Sequence, residues 1–533
     1  MNNNVHNRIF GESIMQKLNK VTQAIGQIQN IGTGTNFIGA STNIVTAVDS
    51  YKVSHWSQFP RGLEISQYYV ESRGGKFDKI MVDGIARMCR ILEKGVSKGD
   101  VAYAKRLFKK HFGSEVFNDK GFDIIVNELN GKLPIKIRAV KEGIVVPTKH
   151  PILTVENTDS RFGWLPGYLE TFVLRAIWYP TTVATISFEV KKIIRQYMKK
   201  TVDDELIPQL EPFKLHDFGA RGVSSAESAA IGGSSHLKNF LGTDTVEALV
   251  DVEELYGDDL EDFIAGFSIP AREHSTTTIY KKMGEDLAFL NSIDQWGGGL
   301  YACVMDSYDY EAAMERVSTG RFKELIISKG GTFIARPDSG VPVDVVMKGL
   351  EILGKNVGYT VNSKGYKVLH PSYRIIQGDG VNIEEIRRIL DFMEAKGWSA
   401  ENIAFGMGGG LLQQSDRDTQ RFAMKMSAAI INGEYVSVFK MPKTDPSKAS
   451  KAGFLDLIAV KPDEPNPAAR GYVTVSTESY ESRVHPNSVM VTVFEDGETV
   501  YDFSLAEARH FSDEQANFLN EGEWKINKKP LTA

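Results

Sequence analysis

An irregular (β/α) barrel of parallel strands, joined to a mixed α+β domain built from the N- and C-terminal segments, is the fold this sequence predicts. Three observations predict it. Between about residues 213 and 411, short apolar runs end in polar or glycine clusters and helix-like segments follow, a repetition that implies parallel strands. The chemically reactive side chains gather where those runs end, the face on which barrel enzymes build their sites. The flanking stretches carry strands and helices without that alternation.

Taken in order, Ile14, Leu18, Val21 and Ile25 mark one face of a short helix in residues 1–40, which read as an N-terminal extension, not a secretory signal. Residues 132–160 read as strands around Ile135 to Val140, Val145-Val146 and Ile152 to Val155, punctuated by Gly143, Pro147 and Pro151. Residues 161–200 read as two helices, FGWLPGYLETFVLRAIW and ISFEVKKIIRQYM. The six apolar runs then end at LHDFG (215–219), FSIP (267–270), VMDSYD (304–309), IARPDSG (334–340), IIQGDG (375–380) and AFGMGGG (404–410). Helix-like segments include 223–231, 342–354 and 382–396. Six units fit an open α/β sheet or a barrel, and the clustering of reactive residues favours the barrel. The expected organisation is an extension (1–40), a mixed domain (41–180 and 412–533) and a catalytic barrel (181–411).

Bulk properties narrow the function. A chain of 533 residues is too long for one ordinary core. With 42% hydrophobic and 24% charged residues it has the balance of a soluble globular protein. A net charge of −6 lacks the basic surplus that nucleic-acid binding calls for. No apolar run approaches the ~18 residues of a membrane span. Two distant cysteines, Cys89 and Cys303, outside any metal-ligand spacing, point to a reducing, cytoplasmic setting.

Four clusters carry chemistry. Asp306, Asp338 and Asp379 each follow an apolar run. Each is either the cap of the next helix or, with Arg336, a group that holds Mg²⁺-bound phosphate or steadies positive charge on a sugar. GMGGG (406–410) is either a turn or a phosphate cradle of backbone N–H groups. IGGSS (231–235) and WGGGL (296–300) are read as structural. Arg221, Arg336, Arg417, Lys425, Lys440 and Lys448 lie near loops and helix starts, as a polyphosphate site requires. His274 follows a run end beside Glu273, whose carboxylate is placed to fix its tautomer; His216 is read as structural. No G-x-x-x-x-G-K-[ST] loop, G-x-S-x-G elbow or Cys/His cluster is present. The residues alone thus define a soluble α/β enzyme with a polyanion site on strand ends.

The motifs DSYKVSHWSQFP (49–60), LHDFGARGVSS (215–225), GTDTVEAL (242–249), SIPAREHS (268–275), DSYD (306–309), RPDSG (336–340), NSKGYK (362–367), IQGDGV (376–381) and FGMGGGLLQ (405–413), with Arg417-Asp418, resemble the nicotinamide phosphoribosyltransferase family in kind and order. The resemblance implies synthesis of nicotinamide mononucleotide from nicotinamide and phosphoribosyl pyrophosphate, with Mg²⁺, and with ATP coupled through a phosphorylated His274. It also implies a homodimer whose two sites lie at the subunit interface. Phe218, and Tyr51 with Asp49 from the partner chain, would hold the pyridine ring, and Asp244 would accept from its carboxamide. Arg221, His274 and Arg336 would meet the diphosphate, Arg336 and Asp338 also lying near the base. Asp338, Gly378 and Asp379 would take the ribose, and Gly408 and Gly409 the 5′-phosphate. Arg417, Lys425, Lys440 and Lys448 would supply the remaining phosphate contacts, and Asp306 and Asp338 would face substrate-borne Mg²⁺. Met407 stands where the family carries a small serine, and Ala220 replaces a larger residue. The rival readings are a nicotinate phosphoribosyltransferase, disfavoured by Asp244 because carboxylates repel, and a non-catalytic pyridine-nucleotide sensor.

Overall fold

The computed structural model describes residues 43–257, 263–444 and 449–519; the 1–40 extension and Lys448 lie outside them. Both ends of the chain build one antiparallel sheet. Among the described residues its strands run in the order Glu434–Ser437, Phe422–Ile431, Leu63–Ser72, Pro151–Asn157, Ile135–Val140, Met490–Glu495, Glu498–Thr499. The Leu63–Ser72 strand lies between a late strand and an early one, with Tyr69 opposite Lys425 on one side and Thr154 on the other. Early and late segments of the chain thus share this sheet, and two small two-stranded sheets, Phe454–Ala459 with Tyr472–Thr477 and Lys79–Met81 with Val145–Pro147, lie outside it.

Residues 161–200 depart from the sequence reading. A short turn of helix at Leu165–Tyr168 is followed by one continuous helix, Glu170–Thr201, with Pro180 inside it. Proline lacks the N–H that would bond Ala176 and ordinarily ends or kinks a helix. Here the site is filled from outside. Gly84, at φ 90°, packs so closely that a Cβ would lie 2.3 Å from the Ala176 carbonyl oxygen and 2.5 Å from the Pro180 ring. Every residue from Pro180 to Arg195 is buried, because this helix is the wall shared by both halves. Thr185 Oγ1 accepts from the Met81 N–H at 3.0 Å on the sheet side. Ser187 Oγ pairs with His236 Nδ1 at 2.9 Å on the barrel side. A buried ionic group adds to that junction: Lys238 binds Asp83 and, at 3.0 Å, Glu142, which also accepts from Tyr256.

The parallel sheet has the order Gly242–Thr243, Leu215–Asp217, Ile403–Met407, Tyr373–Gln377, Thr332–Arg336, Leu300–Val304. Two details differ from the sequence reading. Gly242–Thr243 is a strand that periodicity misses because it is only two residues long. The FSIP stretch is not a regular strand. Residues 267–272 instead span the gap between the two edge strands through bridges to Gly242 and Ala302. Phe267 N–H donates to the Leu241 carbonyl at 2.7 Å, and Arg272 N–H to the Ala302 carbonyl at 2.9 Å. That segment curls the sheet into a nearly closed ring. Phe333, Ala335, Ile375 and Phe405 are buried in the core with the surrounding helices. Ile334, Ile376 and Ala404 line, with Ile375, a partly open cavity of about 490 Å³ that also takes in the strand starts Leu300, Thr332 and Ile403. Among the described residues, no helix is long and apolar enough to cross a membrane.

Candidate active site

The C-terminal ends of the parallel strands form one mouth, and Phe218, Asp244, Asp306, Arg336, Asp338, Gly378, Asp379, Gly408 and Gly409 all fall at or just beyond those ends. None of the three strand-end aspartates is a helix cap. The helices that follow are capped by Asp309, which accepts from Ala312 N–H at 3.0 Å, and by Asn382, which accepts from Glu385 N–H at 2.8 Å; Val341 precedes the third. The carboxylates of Asp306, Asp338 and Asp379 are thus left for other work.

Phe218 N–H donates to the Met407 carbonyl at 3.1 Å, extending the ladder by one residue. Its ring then folds over the mouth against two glycines. A Cβ at Gly406 would sit 2.0 Å from Phe218 Cε2, and one at Gly378 3.0 Å from it. Both positions need glycine for the ring's space, a requirement that the glycine-rich motifs do not reveal by themselves. Asp244 is exposed, and Ser268 Oγ donates to its Oδ1 at 2.6 Å, leaving Oδ2 open toward solvent.

His274 lies between two carboxylates. Its Nε2 pairs with Asp306 Oδ1 at 3.0 Å, and its Nδ1 stands 3.6 Å from Asp338 Oδ2. The sequence reading assigned the tautomer-fixing carboxylate to Glu273, and the structure corrects this. Glu273 caps the short helix His274–Thr278 and binds Ser275, so it turns away from the imidazole. Asp306, 32 residues on, takes its place, and its other oxygen accepts from Ser339. Arg336 Nε is buried without a hydrogen-bond partner, 3.9 Å from Asp338 Oδ1. A buried N–H of a cation left unpaired is costly unless something arrives to accept from it.

Gly408 and Gly409 lead into the four-residue helix Gly409–Leu412. Met407 is fully buried among Leu411 and Leu412, beneath Gly410 rather than in the mouth, so its bulk bears on the loop from below. Arg221 and Arg417 are exposed, Arg417 pairing with Asp418 at 2.9 Å. His216, read as structural, is buried and lines the partly open cavity, its ring so close to Gly242 that a Cβ there would lie 2.6 Å away. Lys214 lies nearby in the same cavity wall, donating to the Ala400, Glu401 and Ile403 carbonyls, and burial pulls its ammonium down to about 7.

The remaining expected residues assemble elsewhere in the chain. Asp49 accepts from Thr171 Oγ1 at 2.8 Å, and Tyr51 is 59% exposed, edge-on to His55. Lys425 is depressed chiefly by burial; Glu170 raises it and Lys440, Arg73 and Lys52 lower it further. Lys52 in turn binds Glu170 at 2.6 Å and stands over the Tyr51 ring. Asp49, Tyr51, Lys425 and Lys440 therefore belong to one aromatic and basic patch on the sheet-bearing half, and Lys52 and Arg73 are members that the sequence reading missed. The signal for Arg73 was its place at a strand end before Gly74-Gly75; Lys52 had none.

The fold is shared with solved structures. The chain superposes on a nicotinate-nucleotide pyrophosphorylase from Pyrococcus furiosus with a TM-score of 0.55 at 15% identity, covering 92% of this chain and 98% of that one. It superposes on human nicotinic acid phosphoribosyltransferase with a TM-score of 0.50 at 14% identity, covering 88% and 93%. Sequence goes further. Residues 213–492 match the nicotinate phosphoribosyltransferase (NAPRTase) family, and residues 43–137 match the nicotinamide phosphoribosyltransferase N-terminal domain. A nicotinamide phosphoribosyltransferase of Xanthomonas campestris is 45% identical over 478 residues, covering 88% of this chain and 98% of that protein. One of Acinetobacter baylyi is 29% identical, covering 88% and 96%. This chain belongs to the nicotinamide phosphoribosyltransferase family.

Proposed function

We propose that the protein transfers the phosphoribosyl group of phosphoribosyl pyrophosphate to nicotinamide, making nicotinamide mononucleotide for NAD salvage and releasing pyrophosphate. The observation that carries this reading is the company kept at the barrel mouth: the Phe218 ring, the open oxygen of Asp244 and the unpartnered Arg336 Nε. The ring stacks on the pyridine, Asp244 accepts from the carboxamide N–H, and Arg336 donates to the diphosphate. The pyridine nitrogen is itself the nucleophile. It adds to the anomeric carbon as the bond to the pyrophosphate oxygen breaks, and the electron pair leaves with pyrophosphate. No serine or cysteine is needed; alignment and charge stabilisation are. Asp338 and Asp379 face the sugar as positive charge builds there, Arg221 joins the diphosphate contacts, and Gly378 meets the ribose with its backbone. Gly408 and Gly409 offer backbone N–H groups to the 5′-phosphate, with Arg417 beside them.

Both oxygens of Asp306 are engaged, so Asp338 is the carboxylate left to face an ion. Among the described residues no group of three His, Cys, Asp or Glu is spaced to hold a metal. Mg²⁺ would rest mainly on substrate phosphate and water, its usual arrangement with phosphate substrates. ATP is the coupling substrate: a ring nitrogen of His274 takes its γ-phosphoryl group, the bond to ADP breaking. The patch bearing Asp49, Tyr51, Lys425 and Lys440 completes the mouth of a second copy, making a homodimer with shared sites. Incubating the pure protein with phosphoribosyl pyrophosphate and either nicotinamide or nicotinate, then identifying the nucleotide, tests the reaction. A product from nicotinate alone would overturn the choice of base, and none from either would overturn the activity.

A further inference from the structure

Asp217 ends the Leu215–Asp217 strand, directly before Phe218, and is fully buried behind the mouth. Its Oδ1 accepts the Gly219 N–H at 2.7 Å, closing the turn that carries Phe218. Its backbone carbonyl accepts the Asp244 N–H at 2.9 Å. Oδ2 is buried beside Thr245 Oγ1, next to Asp244, and the Thr245 hydroxyl steadies the carboxylate. The two side chains close together on the helix Ala226–His236 at Gly233, where a Cβ would lie 3.1 Å from Oδ2 and 3.2 Å from Thr245 Cγ2. One residue thus grips both loops of the base site from behind.

We propose that Asp217 is a positioning residue for base recognition, fixing the separation between the Phe218 ring and the Asp244 carboxylate. The proposal rests on the reading that Phe218 and Asp244 hold nicotinamide. A stacked ring must be gripped in its plane and at its amide at once, so an error in that separation weakens binding of the base without touching the phosphate contacts. Burial lifts the Asp217 carboxyl to about 6; Thr245 and the Gly219 N–H oppose this, and Asp244 and Glu247 add to it. Tyr179 faces it from the long helix, its phenol raised by burial and by Asp217. Below that pH the neutral acid is a weaker acceptor for Gly219 N–H, and the turn loosens.

The test is initial-rate kinetics, varying nicotinamide and phosphoribosyl pyrophosphate separately on both sides of pH 6, for the parent, Asp217→Ala, Asp217→Asn, Phe218→Ala and Asp244→Ala. Asp217→Ala should raise KM for nicotinamide about tenfold, the scale of one charged hydrogen bond. Its KM for phosphoribosyl pyrophosphate should stay near the parent value. In the parent, KM for nicotinamide should climb as pH falls through about 6. Asp217→Asn keeps an oxygen for Gly219 but no charge, so its KM for nicotinamide should fall between those of the parent and Asp217→Ala, and the low-pH rise should be lost. An unchanged KM for nicotinamide in Asp217→Ala, or a rise of equal size for both substrates, overturns the proposal. Should that variant not fold, a low-pH rise that persists in Asp217→Asn overturns it instead. If Phe218→Ala and Asp244→Ala leave KM for nicotinamide untouched, the base-site reading itself fails, and the proposal fails with it.

Discussion

His274 and Asp306 stand 3.0 Å apart, brought together from two loops on neighbouring members of the barrel ring, and Asp306 is in turn held by Ser339 from a third. A histidine so braced has its ring plane held before any substrate arrives, as the proposed phosphoryl acceptor requires. His274→Ala should abolish ATP hydrolysis while slow, ATP-independent synthesis of the nucleotide persists. Asp306→Asn should slow hydrolysis by about 10- to 100-fold, the usual cost of losing an orienting partner. Both are read by ADP release and by acid-labile phosphate on the protein; undiminished hydrolysis in His274→Ala would remove it from the acceptor role.

Base choice should follow Asp244. With Ser268 holding one oxygen, the other meets an amide donor well and a carboxylate badly. Losing that charged hydrogen bond is worth roughly 1.5–3 kcal/mol, and relief of repulsion helps nicotinate as well. Asp244→Ser should shrink the preference for nicotinamide, measured as the ratio of kcat/KM for the two bases. A ratio identical to the parent's would mean that selection resides elsewhere.

The proposal that two subunits share each site can be tested by mixing variants. Tyr51 belongs to the sheet-bearing patch and Arg336 to the barrel mouth. Tyr51→Ala and Arg336→Ala homodimers should each be severely impaired. Mixed under subunit exchange, they form dimers in which one site carries both lesions and the other neither. Random pairing makes about half the dimers mixed, so activity should return toward about one quarter of the parent value. No recovery, with exchange verified by a mass-tagged subunit, would refute sharing for these two residues.

Lys238 should be the costliest single truncation between the two halves. It is buried with Asp83 and Glu142 on either side. Removing the cation strands two carboxylates away from water, a loss of about 3–5 kcal/mol. Lys238→Met should show it in urea titration, and Lys238→Met with Asp83→Asn and Glu142→Gln should recover much of it. A single variant within about 1 kcal/mol of the parent would show that water reaches the group.

How far the sequence carries the argument depends on how local each signal is. Strand-end positions were legible because Leu215, Ile375 and Phe405 belong to apolar runs that stop abruptly at polar residues. The two-residue strand at Gly242–Thr243 was not, being too short to carry a period, and FSIP was legible as a run but not as a segment held only by isolated bridges. The helix Glu170–Thr201 reads as two in sequence and is one in the structure, where Gly84, almost a hundred residues away, packs against Pro180. His274 was visible as a candidate, but its partner was misassigned to the adjacent Glu273 because sequence shows neighbours along the chain and not across a ring. Asp217 was hidden by the motif that contains it, where Phe218 drew the eye.

The bridging stretch at 267–272 also gives the barrel a seam. Its ring is held on most sides by strand ladders, but here by isolated bridges at either end. The amides of Phe267 and Arg272 should therefore exchange with deuterium sooner than those of Ile403–Met407, which lie between two paired strands. Ser268 on that seam touches Asp244, Phe267 and Ile269 border the partly open cavity, and His274 stands just past its end. Whatever loosens the seam is felt by Asp244, His274 and the cavity together, so exchange protection along 267–272 should report a ligand bound at any of the three.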